Sequence, residues 1–130
     1  MTDPEEAERF VKETEIDALA VAIGTVHGFY KGEPNIRLDL LETISKRVNI
    51  PLVLHGGSGI PGETIRKCIS LGISKINICT EFVAAFSDTF VKIRENEDFG
   101  YNVPGVFAKP REEAQKLVKQ KIELFAGLRK

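Results

Sequence analysis

The chain has 130 residues, 42% apolar and 28% charged, with 18 basic and 19 acidic side chains and a net charge of −1. That length suits one domain with a real core and is too short for two, and the intermixed charge leaves no basic stripe for nucleic acid or a membrane surface. No apolar run approaches the ~20 residues of a membrane span, the first residues are charged where a signal peptide is apolar, and Cys68 and Cys79 form neither a C-x-x-C pair nor a disulfide framework, so a reducing, cytoplasmic setting is expected.

Thr2-Asp3-Pro4-Glu5-Glu6 reads as a helix start. Asp3 can cap, Pro4 suits the first helical position, and two glutamates meet the positive dipole end. Phe10 and Val11 continue the apolar side of this helix, which should stop near Thr14. Ala18 to Ile23 is a wholly apolar strand ending at Gly24. A polar, glycine-containing loop carries His27, Tyr30, Lys31 and Gly32. Leu38, Leu40, Leu41, Ile44 and Val48 then recur at helical spacing over about 37–48. The second strand is Pro51 to His55. Ile65, Cys68, Ile69 and Leu71 mark the next helix, closed by Gly72. The third strand is Ile73 to Cys79, followed by an amphipathic helix from Thr80 to about Glu95, with Phe82, Val83, Phe86, Phe90, Val91 and Ile93 available to face inward. Glu95 to Pro104 reads as a connection, and Lys109-Pro110 restarts a last helix.

The order is a helix, three β-loop-α units and a final helix. Short apolar strands one βα unit apart pair in parallel, with helices covering the sheet. The fold class is therefore α/β, either a small doubly wound domain or an arc of a (β/α)8 barrel. A barrel takes about 250 residues, so three strands would be only part of one. Three parallel strands leave both sheet edges unpaired, the first sign of incompleteness.

Chemistry gathers at the carboxyl ends of the strands. His27, in Gly24-Thr-Val-His27-Gly28, and His55, in Leu54-His55-Gly56-Gly57, both follow a strand and precede a glycine. A lone histidine there is usually structural. Two on neighbouring parallel strands can approach closely enough to share a metal, and Zn²⁺ favours nitrogen ligands. A catalytic zinc has three protein ligands, and the sequence holds no third histidine. Cys79 and Glu81 lie near the same edge, but Cys79 reads as core. Gly56-Gly57-Ser58-Gly59 before Pro61 and a helix is either a phosphate cradle or a plain turn. Asn77, polar in an apolar strand, needs a partner if buried and favours a ligand contact. Thr80 caps the next helix and could also donate to phosphate.

Two competing motifs are weaker. Gly57-Ser-Gly59-Ile-Pro-Gly62 matches the letters of a dinucleotide fingerprint, but a histidine and an extra glycine separate it from the strand, and Pro61 starts the helix early. Ser58 lacks the second flanking glycine of a hydrolase elbow.

Taken together, Ala20-Val-Ala-Ile-Gly-Thr-Val-His-Gly28, Leu52-Val-Leu-His-Gly-Gly-Ser-Gly-Ile-Pro61 and Lys75-Ile-Asn-Ile-Cys-Thr-Glu81 closely resemble the C-terminal part of the class II, zinc-dependent ketose-bisphosphate aldolases that act on fructose or tagatose bisphosphate. The resemblance runs over nearly the whole chain. It implies the last three βα units of a (β/α)8 TIM barrel with flanking N- and C-terminal helices, in a single partial domain over 1–130. It implies that His27 and His55 are two of three Zn²⁺ ligands, and that Gly28, Gly56, Gly57, Ser58, Asn77, Ile78, Cys79 and Thr80 bind the dihydroxyacetone phosphate part of the substrate. Backbone oxygens near Val26, Gly28 and Gly56 match a monovalent-cation site for Na⁺ or K⁺. The loop from Phe29 to Asn35 resembles a mobile segment near the site, and cysteine at position 79 replaces the family's usual small residue.

The family's third zinc histidine and its proton-transferring aspartate sit on an earlier strand with no counterpart here, and Asp17 lies at the wrong end of its strand to substitute. The expectation is therefore a partial enzyme: phosphate grip and two metal ligands without the base, inactive alone, and completed by a missing N-terminal barrel half or by homo-oligomerisation. The alternative from another class is a non-catalytic phosphate- or metal-binding module derived from the same barrel. A third reading, a nucleotide-binding fragment, predicts NAD affinity that survives loss of both histidines.

Overall fold

In the computed structural model, which describes residues 1–96 and 102–127, Asp3 Oδ1 accepts from the amides of Glu5 and Glu6, both at 2.9 Å, and opens α1 (Pro4–Thr14). Such a cap is worth about 1 kcal/mol. The helix stops where Glu15 turns left-handed at φ 51°. Ala7 is its buried residue, while Phe10, expected on the apolar side, is half exposed and lines an open cleft of about 420 Å³ with Thr2, Leu19 and Ala20.

Three strands follow, β1 (Leu19–Ala20), β2 (Leu52–Leu54) and β3 (Ile73–Ile76), all parallel in the order β1-β2-β3. Leu19 faces Leu52 and Ala20 faces Val53. Leu52 pairs with Ile73, and Val53 with Lys75, across a register irregularity between Leu52 and Val53. The central strand is buried along its whole length, as a parallel sheet with both faces covered requires. Helices α2 (Leu38–Arg47) and α3 (Gly62–Ser70) complete the βα units, with Leu41, Ile44, Ile65 and Cys68 buried. Gly72, at φ 110°, turns the chain from α3 into β3.

Each strand is shorter than its apolar run. Val21 and Ile23 are still buried, and Val21 N–H donates to Val53 O at 3.4 Å. Beyond Ala20, however, the chain turns to other partners. Thr2 N–H and the Thr2 hydroxyl both bond to Ala22, at 2.8 Å each, and Arg37 N–H donates to Ile23 O at 2.8 Å. Likewise β3 ends at Ile76, so Cys79 lies outside the strand and is exposed; the expectation of a core cysteine is corrected.

The chain divides into two compact units, Met1–Ile78 and Cys79–Lys130. The second is built from α4 (Thr80–Asn96) and α5 (Val103–Phe125). Phe107 stacks against Phe90 and Phe86 at ring-centroid distances of 5.7 and 6.1 Å, and Lys121 Nζ meets Glu81 Oε2 at 2.5 Å. Of the α4 residues expected to face inward, Ile93 is buried, whereas Phe82, Val83 and Val91 are exposed. The last helix starts earlier than expected. Asn102 Oδ1 accepts from Gly105 N–H at 3.1 Å with Pro104 in the first turn, so Pro110 lies inside α5 and does not open it. The expected connection from Glu95 to Pro104 is helical at both ends, and its middle, 97–101, lies outside the described residues. Among the described residues no helix is long and apolar enough to cross a membrane.

Candidate metal and phosphate site

Parallel pairing puts the ends of β1 and β2 side by side, and each then runs into its histidine. The rings of His27 and His55 approach to 4.6 Å between centroids, edge to face at 73°. Both are exposed. The approach depends on Gly56. Its φ of 73° lies in the left-handed region, and a Cβ there would stand 2.8 Å from Val26 O, so only glycine lets the two loops close on one another. On the other side of the site, Tyr30 Oη accepts from Val26 N–H at 3.2 Å, and the Tyr30 ring lies against Gly59.

Asn77, the residue after β3, joins this cluster. Its backbone is held twice, donating to Leu54 O and accepting from Gly57 N–H, each at 3.0 Å. Its side-chain Nδ2 lies 2.8 Å from His55 Nδ1, and its Oδ1 accepts from Lys75 Nζ. The half-buried Asn77 amide thus has protein partners at both of its polar atoms. Lys75 is the residue that motif reading passed over. Its signal is spacing: Lys75 stands two residues before Asn77, the separation at which an extended chain brings side chains to one side.

The glycine loop packs closely on the end of β3. Gly57 N–H is taken by Asn77 O, and a Cβ on Gly57 would come within 2.6 Å of Ile76 Cγ2, so this glycine serves close packing of the loop on β3. Ser58 is buried at 4% exposure beside it. The amino end of α3 has Pro61 at its cap position and no side-chain cap, but Glu63 sits in its first turn. The Lys67 ammonium, 2.9 Å away, holds the Glu63 carboxyl below its ordinary range, so this carboxylate already answers the positive dipole end. Gly28, at φ 94°, has open space where a side chain would be. The structure thus gathers His27, His55, Gly56, Gly57 and Asn77. Ile78 ends the first unit, and Cys79 and Thr80 begin the second.

As a metal site, the paired imidazoles fit two nitrogen ligands of a zinc shell. Among the described residues no third His, Cys, Asp or Glu joins them. The fit is that of a partial set.

Comparison with known proteins gives a consistent picture. The chain is 48% identical over 130 residues to the 6-phospho-5-dehydro-2-deoxy-D-gluconate aldolase of Bacillus subtilis (strain 168), covering 96% of this chain and 43% of that protein. It is 47% identical over 127 residues to the D-tagatose-1,6-bisphosphate aldolase subunit GatY of Klebsiella oxytoca, covering 97% and 44%. Among solved structures, the YdjI aldolase of Escherichia coli K12 superposes with a TM-score of 0.79 at 39% identity, over 95% of this chain and 44% of that one. The fructose-bisphosphate aldolase of Campylobacter jejuni does so with a TM-score of 0.76 at 25% identity, over 96% and 45%. The chain therefore spans less than half the length of these relatives, and its three βα units correspond to part of a (β/α)8 barrel. The family model described as "Fructose-bisphosphate aldolase class-II" matches residues 1–129, and the chain belongs to that family.

Proposed function

We propose that this chain supplies two zinc ligands and part of the triose-phosphate grip of an aldolase that reversibly splits a ketose bisphosphate into dihydroxyacetone phosphate and an aldehyde. The observation that carries the reading is the His27–His55 pair at 4.6 Å, with Asn77 beside it from the end of the third strand. Three segments distant in sequence converge on one sheet edge with nitrogen ligands and an amide. When bound, the metal supplies Lewis-acid polarisation of the ketose carbonyl. The chain's own residues would do the rest of the work assigned to this side: the imidazoles of His27 and His55 would hold the metal as neutral ligands. Gly28, Gly56, Gly57 and Ser58, with the stretch from Asn77 through Ile78 and Cys79 to Thr80, bind the dihydroxyacetone phosphate moiety. Carbonyls around Val26, Gly28 and Gly56 are the natural place for a Na⁺ or K⁺ ion. The third ligand and the carboxylate that moves the substrate proton come from a segment equivalent to the remainder of the relatives' length.

The test has two stages. Zinc binding to the full chain is measured by calorimetry beside His27→Ala and His55→Ala, each expected to weaken it by more than the roughly 10–100-fold that losing an outer-shell partner costs. Unchanged affinity in both variants would overturn the metal assignment. The chain is then mixed with a chain carrying the histidine–aspartate strand of a relative, and aldol cleavage is assayed. Zinc-dependent cleavage supports the aldolase reading. Zinc bound without cleavage favours the second reading, a non-catalytic phosphate- or metal-binding module, which the absence of a third ligand group among the described residues keeps in view.

A further inference from the structure

Tyr30 is half-buried between two exposed neighbours, Phe29 and Lys31, and its side chain reaches both histidine segments. The loop that carries it is closed at its base. Arg37 N–H donates to Ile23 O at 2.8 Å, and a Cβ on Gly24 would collide with Asn35 O. Above that base apolar anchorage is thin, since the Val26 and Phe29 side chains are exposed. Val26, the residue before His27, is therefore placed by its backbone. Its N–H donates to Tyr30 Oη at 3.2 Å, and its carbonyl sits where Gly56 has no Cβ. The Tyr30 ring meanwhile rests on the loop that follows His55. A Cβ built on Gly59 would stand 3.4 Å from its Cδ2 and 3.9 Å from its Cε2, ordinary contact distances. One aromatic thus uses its polar tip on the first histidine's segment and its apolar body on the second's.

We propose that Tyr30 is a positioning residue, a stiff spacer that sets how closely His27 approaches His55. It acts through Val26 and Gly59. Two ligands held at a fixed approach before an ion arrives spare binding the cost of ordering them. That gain in metal affinity rests on the ligand roles proposed for both histidines. The positioning itself does not.

The experiment is NMR on the full chain without metal, followed by calorimetry with Zn²⁺. The sequence has only two histidines, so their ring protons are readily assigned. Wild type should show a nuclear Overhauser effect between the His27 and His55 rings, as centroids 4.6 Å apart require, and slowed exchange of the Val26 amide. Tyr30→Phe keeps a ring on Gly59 and loses the acceptor. It should weaken the inter-ring signal, speed Val26 exchange and lower zinc affinity by about 2- to 10-fold, the change one ordinary hydrogen bond commands. Tyr30→Leu loses both contacts and should abolish the inter-ring signal; where it fails to fold, Tyr30→Phe decides. Lys31→Gln, at an exposed neighbour, should leave every reading unchanged. No inter-ring signal in wild type, or an equal loss in Lys31→Gln, would overturn the proposal. So would a lower urea midpoint in Tyr30→Phe with the inter-ring signal and zinc affinity unchanged, which would make Tyr30 a support of the fold alone. A wild-type chain that shows the expected ring signals and fails to bind zinc would sink the metal reading and leave this inference standing.

Discussion

A methyl group added at Gly56 meets two obstacles at once. The left-handed φ of 73° is strained for any residue with a Cβ, and that Cβ would face the Val26 carbonyl at 2.8 Å. Gly56→Ala is expected to destabilise the chain by about 1–3 kcal/mol, measured as a lower urea midpoint with unchanged slope. It should also push the His27 and His55 loops apart. Asp39 offers a residue-scale test of electrostatics. Hydrogen bonding to the Arg37 guanidinium, which contacts both carboxylate oxygens, lowers its pKa to about 2. A carboxyl depressed on folding contributes stability above its unfolded pKa, and that contribution is lost as pH falls through about 2. The pair is exposed, so the contribution is small. NMR titration should place the Asp39 midpoint near that value and show it rising toward the ordinary carboxylate range in Arg37→Gln.

At this scale much of the site could be read from the sequence, because the residues that chemistry demands are rare types in fixed order: two histidines, each before a glycine. What the sequence hid was partnership. Lys75 reads as a solvated strand residue until Asn77 Oδ1 is seen beside it. Gly57 reads as a loop glycine until its N–H is seen donating to Asn77 O and its bare Cα is seen to admit Ile76. Hydrogen-bond accounting is a property of three dimensions, and a short motif does not contain it.

Among elements, those that declare themselves locally were the most legible. The Asp3 cap, Pro4 and paired glutamates place the start of α1 to the residue. Asp3→Ala should cost about 1 kcal/mol, seen as a lower thermal midpoint. The strands are shorter than their apolar runs because an apolar run reports burial, while a strand also needs a continuing ladder. Val21 and Ile23 are core residues whose backbone neighbours have left for Thr2 and Arg37. For α5, Pro110 reads as a beginning, since proline favours the first turn. Asn102 and Pro104 form that turn instead. Pro110 costs the helix one hydrogen bond, at roughly 3 kcal/mol for an interior proline, while burying its ring fully. The α4–α5 hairpin also depends on the partly buried Lys121–Glu81 pair, with both side chains under one-fifth exposed. Lys121→Met should lower stability by about 1–3 kcal/mol, because it strips the ion-pair partner from a largely buried carboxylate. Denaturant unfolding of the variant measures this.

For the whole molecule, the sheet of the described residues ends at β1 on one side and β3 on the other, and parallel sheets seldom stop at three strands. Open edges recruit further strands. Sedimentation velocity is expected to show concentration-dependent self-association of the purified chain; a monomer at every concentration would mean that the edges are already satisfied. The two cysteines turn the architecture into a clock with two hands. Cys68 is fully buried beneath the sheet unit, and burial pushes its thiol up, while Cys79 is exposed at the first position of the second unit. Thiolate reagents discriminate by exposure and ionisation. One reagent added to one sample should therefore mark Cys79 at once, within the stretch proposed to hold the triose phosphate, and Cys68 only at the rate at which the sheet unit opens. Ligand contact and unfolding can be followed in the same tube by two masses.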